Sequence, residues 1–210
     1  MKIAVLGANG KTGARIAAEA TTRGHDVTGV VRSSPREALA KVDYRIGDAT
    51  SADQVADLAA MHDIVVHAVR PPLGQEDAYD SMMVNILEGV RGSATRLLVV
   101  GGAACLRVPD SGLLVVEDER YVKPEFRPIP EASLRQWRIC AASDVESLTY
   151  MSPPAEFRPG ERTGRYRLGT DYMVTDAEGR GFITMEDYAV AMVDEVESPQ
   201  SEGRLMTVGY

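Results

Sequence analysis

Seven residues near the start of the chain, Gly7-Ala8-Asn9-Gly10-Lys11-Thr12-Gly13, have the types and spacing to hold a phosphate. They follow the apolar run Ile3-Ala4-Val5-Leu6 and open a helical pattern. That context matters, because a glycine loop between a strand and a helix is far more informative than a lone motif. A diphosphate must reach backbone N–H groups at a helix N-terminus, and a Cβ at the contact positions would block it. Gly10-Lys11-Thr12 invites comparison with the triphosphate-cradling loop, which needs a glycine five residues before its Gly-Lys-Thr. Val5 stands there, inside the apolar run. The loop is read as one for a dinucleotide.

Which dinucleotide is decided at the end of the second strand. An acid there would accept from a ribose 2′-hydroxyl. The strand instead ends Val30-Val31-Arg32-Ser33-Ser34, with no carboxylate until Glu37, and Asp26 lies at its opposite end. A guanidinium at Arg32 suits a 2′-phosphate through charge-assisted, bidentate bonding, so NADP(H) is favoured over NAD(H). Gly47-Asp48-Ala49, after the third strand, either brings a carboxylate to the adenine edge or makes a plain turn. Ala68-Val69-Arg70 ends the fourth strand, where small residues let a cofactor lie across the sheet.

The groups that would protonate a substrate carbonyl are missing. None of the eight tyrosines has lysine four residues on: those positions hold Asp48, Met83, Glu125, Pro154, Thr170, Asp176 and Met192, and Tyr210 is the last residue. The fifth strand ends Gly101-Gly102-Ala103-Ala104-Cys105, with no serine. Acid catalysis by a poised side chain is poorly supported. Cys105 has no neighbouring histidine to lower its pKa and reads as a small buried hydrophobe. His25, His62 and His67 have no metal-ligand spacing, so no metal is expected. His67 lies inside a buried strand pattern and reads as a satisfied core residue.

The elements that must position these residues alternate. The strand pattern at residues 3–6 is a continuous apolar run, as expected of a strand buried on both faces of a parallel sheet, and further strand patterns lie at about 27–31, 44–46, 64–69 and 97–100. Helical patterns at about 12–22, from a Ser51–Gln54 capping box to 60, and at 78–90 lie between them, with Gly24 closing the first. Strand and crossover helix in turn predict an α/β fold, a doubly wound, mostly parallel Rossmann sheet. After Gly101-Gly102 comes an irregular, proline-rich excursion over 106–130, then a helix at about 131–142 and a strand at about 148–151. A Pro-, Gly- and Arg-rich loop follows from Ser152, and the last helix begins near Thr184, before a closing strand at 205–208. Residues 1–210 read as one domain, with 106–130 and 152–183 as substrate-side excursions and a small C-terminal lid.

Composition narrows the partners. Thirty-one acids against 23 bases give a formal charge of −8 over 210 residues, which argues against nucleic acid and anionic membrane as partners. Only 6% of residues are aromatic, too few for base-stacking platforms. Two cysteines 35 residues apart form no disulfide framework, and no apolar run has the length of a signal core or a membrane span. A reduced, cytoplasmic protein acting on a small molecule, as monomer or homodimer, is the expectation.

Gly7–Gly13, Val31-Arg32, Gly47-Asp48 and Gly101-Gly102-Ala103 together resemble the atypical short-chain dehydrogenase/reductase superfamily. More specifically they resemble its NAD(P)H-binding, NADH-flavin-reductase-like branch, which is similar to biliverdin reductase B and the redox-sensing regulator NmrA. Met151-Ser152-Pro153-Pro154-Ala155-Glu156-Phe157, Pro159 to Gly169, and Ile183 to Asp194 carry the rest of the likeness, which spans essentially the whole chain. The resemblance implies that Gly7, Asn9, Gly10, Lys11, Thr12 and Gly13 hold the diphosphate and Arg32 the 2′-phosphate. It implies that Asp48, Ala49, Ala68 and Val69 flank the adenosine half, with Gly101 also on the cofactor. Cys105, Met151, Pro153, Pro154, Ala155 and Phe157 would border the nicotinamide and a flat second substrate. Asn9 departs from the branch's frequent threonine, and Cys105 from its serine. The implied function is NADPH-dependent reduction of a flat acceptor such as FMN, FAD or a quinone, without a Tyr–Lys pair. The alternatives are a non-catalytic NADP(H) sensor of NmrA type and, further off, an NAD(P)-dependent isomerase or epimerase.

Overall fold

Side chains alternate along the central strands, so each strand feeds two cores at once. The computed structural model describes residues 1–210 other than 36, 73 and 202. Its strands are β1 (Lys2–Leu6), β2 (Asp26–Val31), β3 (Val42–Ile46), β4 (Ile64–His67), β5 (Arg96–Val100), β6 (Leu148–Ser152), β7 (Glu156–Arg158), β8 (Arg167–Gly169), β9 (Phe182–Thr184) and β10 (Leu205–Gly209). Its helices are α1 (Lys11–Thr22), α2 (Ala52–Met61), α3 (Ala78–Val90), α4 (Pro128–Ala142) and α5 (Met185–Glu197). Among the described residues the main sheet has the order β3-β2-β1-β4-β5-β6-β10-β8, parallel except for the β10–β8 pair, and β7 pairs with β9 apart from it. Ile3, Val5, Ile64, Val66 and Leu98 point into one core with α1 and α5. Ala4, Leu6, Val65, Leu97 and Val99 point into the other, with α2, α3 and α4. This is the doubly wound, mostly parallel Rossmann sheet that the alternation of patterns predicts.

From β1 the chain winds outward through β2 and β3, then returns to place β4 on the other flank of β1. The order reverses between β1 and β4, and in open α/β sheets ligands bind at the carboxyl ends of strands beside such a reversal. The glycine loop leaves β1 at that spot.

Several boundaries differ from expectation. β4 stops at His67, leaving Ala68 and Val69 beyond the ladder. Helix α4 starts at Pro128, three residues early, because prolines in a first turn give up only N–H groups that lack an intrahelical partner. Ser51 Oγ accepts from the Gln54 N–H, but the Gln54 carboxamide accepts from Asp48 N–H at 2.9 Å instead of reaching back to Ser51. Gly24 does close α1, with φ +85° and its N–H on Thr21 O. Leu106, Val108, Val115 and Val122 of the excursion after β5 form a small separate core with Met173, which follows β8. Among the described residues no helix is long and apolar enough to cross a membrane.

Candidate functional site

At the reversal point the backbone is packed too tightly for side chains. Gly7 has φ +86°, and a Cβ there would stand 2.8 Å from Ala68 O. Its N–H donates to Val30 O at 3.0 Å, and Gly10 N–H donates back to Gly7 O at 2.8 Å. Gly13 lets α1 lie directly on this turn, since a Cβ there would overlap Gly7 O. Asn9 Nδ2 donates to Ser33 O at 3.4 Å, tying the loop to the chain leaving β2. Helix α1 begins at Gly10 with no side-chain cap, whereas α2 and α5 are capped by Ser51 and Thr184. A bare helix start behind a glycine turn offers N–H groups and the positive end of the helix dipole to an anion.

Arg32 is exposed at the end of β2, and its charge helps to hold the nearby Asp48 carboxyl low. The larger causes are the Thr50 N–H and Oγ–H, which donate to Asp48 Oδ1 at 2.9 and 2.7 Å. Asp48 thus makes the turn after β3 and also sets an anion beside the guanidinium. Ala49 is buried against α2 and α3.

From α1 a cleft of about 750 Å³ runs over the carboxyl ends of β4, β5 and β6. Of the expected site residues it brings together Gly10, Lys11, Thr12, Ala68, Val69, Gly101, Pro153, Pro154, Ala155 and Phe157. The excursion adds Val115, Tyr121, Val122, Ile129 and Pro130 to the walls. Cys105 and Met151 are not brought to it. Cys105 turns inward, with Sγ 3.3 Å from the buried Ser152 Oγ, and burial pushes its thiol up to about 11. Met151 is wholly buried in the α1/α5 core because strand alternation turns it away from the cleft. Pro71 and Pro72, which follow β4, stand outside the lining, and Leu73 lies outside the described residues. Among the described residues no group of three His, Cys, Asp or Glu side chains is placed to hold a metal ion.

Beyond Lys11, Thr12 and Arg70, the polar side chains of this cleft are not among the residues that the sequence singles out. Ser133 and Gln136, one turn apart on α4, line it together with Arg70 and Tyr79. Gln136 Nε2 donates to His67 Nε2 at 3.3 Å, and Tyr150 Oη donates to Gln136 Oε1 at 3.2 Å. Tyr150 Oη also lies 3.5 Å from Ser133 Oγ. Both strand-end glycines make room for this chain: a Cβ on Gly101 would overlap the Tyr150 ring, and one on Gly102 the Ser133 hydroxyl. His67 is fully buried, and its Nδ1 has no partner among the described residues, so it is not the satisfied core residue that the strand pattern predicts. Burial pushes its pKa down to about 4 and keeps the ring neutral. A pair of polar residues at i and i+3 on an otherwise apolar helix face was the one available signal.

The Pro-, Gly- and Arg-rich loop is divided. Its first residues, Pro153 to Phe157, reach the cleft. The next run is strapped along α1 and α5: Gly160 N–H to Glu186, Arg162 to Glu19, and Thr163 and Gly164 N–H to Asp187. Tyr166 continues the strap to Asp194.

A family model described as NAD(P)H-binding matches residues 7–199. The uncharacterized protein YwnB of Bacillus subtilis is 34% identical over 99% of this chain and 98% of its own length. A crystal structure from Streptococcus pneumoniae TIGR4, provisionally named an NADH-flavin reductase, superimposes with TM-score 0.88 at 28% identity, covering 100% of this chain and 99% of that one. One from Bacteroides thetaiotaomicron, provisionally named an epimerase, gives TM-score 0.88 at 33% identity over 100% and 96%.

Proposed function

Because the chain belongs to the NAD(P)H-binding family, we propose that it is an NADPH-dependent reductase whose acceptor is a flat ring such as a flavin or a quinone. The observation that carries the reading is the cleft itself. It starts at the uncapped end of α1 and continues past the apolar side chains of Val115, Val122, Ile129, Pro153, Pro154 and Phe157, with about 750 Å³ of space for a planar ring.

In this reading the glycine turn and the N–H groups of Lys11, Thr12 and Gly13 hold the diphosphate, and Arg32 holds the 2′-phosphate. Asp48 stands beside Arg32 on the adenosine side, and Ala68, Val69 and Gly101 give the dinucleotide a flat bed. The loop fits such a group: each glycine sits where a Cβ would overlap backbone or fill the phosphate cradle. Bound there, the dinucleotide supplies hydride from its nicotinamide ring. The chain supplies orientation and exclusion of water, which together account for a large share of rate in such transfers.

Side-chain acid–base chemistry has little support. Gln136 and Tyr150 are committed to each other, and Tyr79, pushed up to about 12 by burial, stays a neutral hydroxyl. That weighs against an epimerase, which needs groups that take and return a proton. Purified protein mixed with NADPH and a panel of flavins and quinones should consume the nicotinamide absorbance faster than the mixture without protein. Tight NADPH binding with no acceleration across the panel would replace the reductase with a dinucleotide sensor.

A further inference from the structure

The hydrogen-bonded chain beneath the cleft has one end in the core and the other in the open. At the core end an amide nitrogen can only donate, so His67 accepts at Nε2 from Gln136. That fixes the carboxamide, whose Oε1 then accepts the Tyr150 proton. That proton is shared with the Ser133 carbonyl oxygen, 3.3 Å away, so toward the Ser133 hydroxyl Tyr150 can only accept. The 3.5 Å between the two hydroxyls is the limit of a hydrogen bond, so the serine proton is loosely held. Ser133 is half-buried and lines the cleft, with its hydroxyl against Gly102. Gln136 lines the same cleft but is almost wholly buried, with both its amide nitrogen and its oxygen hydrogen-bonded.

We propose that Ser133 is the hydrogen-bond donor that holds a carbonyl oxygen of the acceptor, and that Tyr150 and Gln136 are the positioning residues that aim it. The choice of a carbonyl-bearing ring rests on the reductase reading; the availability of the hydroxyl does not. A neutral donor suits an uncharged carbonyl oxygen on a planar ring, which costs less to desolvate than an anion. The same logic explains two glycines in succession at the end of β5: any side chain on the first would displace Tyr150, and on the second Ser133.

The test uses the full chain saturated with NADP+, so that nothing turns over, and 2-methyl-1,4-naphthoquinone as probe. Trp137, the single tryptophan, stacks 5.2 Å from Tyr150 and reports binding through its fluorescence. Infrared difference spectra of the bound quinone report the bond itself, since a donor lowers the carbonyl stretch. Ser133→Ala should weaken quinone binding about fivefold to tenfold and abolish the shift. Tyr150→Phe should retain binding but broaden or reduce the shift, and neither change should alter NADP+ affinity. An unshifted carbonyl in the wild type, or an equal shift in Ser133→Ala, would overturn the assignment even if quinone reduction proceeds. A serine-dependent shift without turnover by NADPH would leave it standing and overturn the reductase reading. No quinone binding at all by the wild type would overturn the assignment and leave the reductase reading to the flavins of the panel.

Discussion

The Cα of Gly13 packs directly against the carbonyl oxygen of Gly7, so closely that any side chain would have to occupy the same space. This contact joins the first turn of α1 to the end of β1 and sets the angle at which the helix start faces the cleft. A Cβ on Gly10 would stand 3.1 Å from the same oxygen, which leaves a little more room. Gly13→Ala should therefore destabilise the fold by about 1–3 kcal/mol, as forced overpacking does. It should also cost most of the NADPH affinity. Thermal unfolding and a dinucleotide titration check this, and a variant of unchanged stability and affinity would show that the turn can relax.

The glycine turn was legible because its demand is local: a strand, a left-handed residue and a helix start all fall within a dozen residues. The buried strands were legible for a related reason, since burial on both faces leaves no polar alternation to misread. Tertiary neighbours were not. Nothing near Ser133 in sequence announces that Gly102 leaves room for its hydroxyl, or that Tyr150 from β6 lies behind it. Cys105 and Met151 sit among cleft residues in sequence, yet their side chains turn into the core. The prolines at 128 and 130 look like breakers until their place in a first turn is known.

Both cysteines should be inert in the folded protein. Burial pushes Cys105 up to about 11 and Cys140 up to about 12, so almost no thiolate exists at neutral pH, and neither sulfur is open to solvent. Alkylation by iodoacetamide at pH 7.5 should be slow without denaturant and rapid at two sites with it. Fast labelling of Cys105 in the native state would mean that the turn behind β5 opens readily.

Acid should loosen the strap along α1 and α5. Burial alone would raise the Asp187 carboxyl, but Thr163 Oγ–H, Tyr210 Oη–H and the N–H groups of Gly164 and Thr163 all donate to it, and together they hold it below its usual range. Arg162 does the same for Glu19, ahead of the opposing cost of burial. A carboxyl depressed in the folded state adds stability above its unfolded value of about 4, and loses it as pH falls through the lower folded value. The melting temperature should thus stay level from pH 7 to about 5 and drop below about pH 4. Asp187→Asn should cost about 1–3 kcal/mol at neutral pH and flatten that drop. An acid limb of unchanged steepness would place the titrating groups elsewhere.

Cofactor choice should turn on Arg32. Its side chain is exposed at the end of β2, and the anion that it faces, Asp48, already spends one oxygen on Thr50. A guanidinium so placed is free to form charge-assisted bonds to a 2′-phosphate, whereas a bare 2′-hydroxyl gives it little to hold. Asp48 also sets the sign of the background, since a phosphate arriving there is repelled unless Arg32 is present. Arg32→Ala should therefore weaken NADPH binding by about 1.5–3 kcal/mol, roughly tenfold to a hundredfold, and leave NADH binding nearly unchanged. Asp48→Asn, which removes the repulsion and leaves the arginine, should move NADPH affinity the other way. Equal losses for both dinucleotides in Arg32→Ala would mean that the arginine supports the loop, not the phosphate.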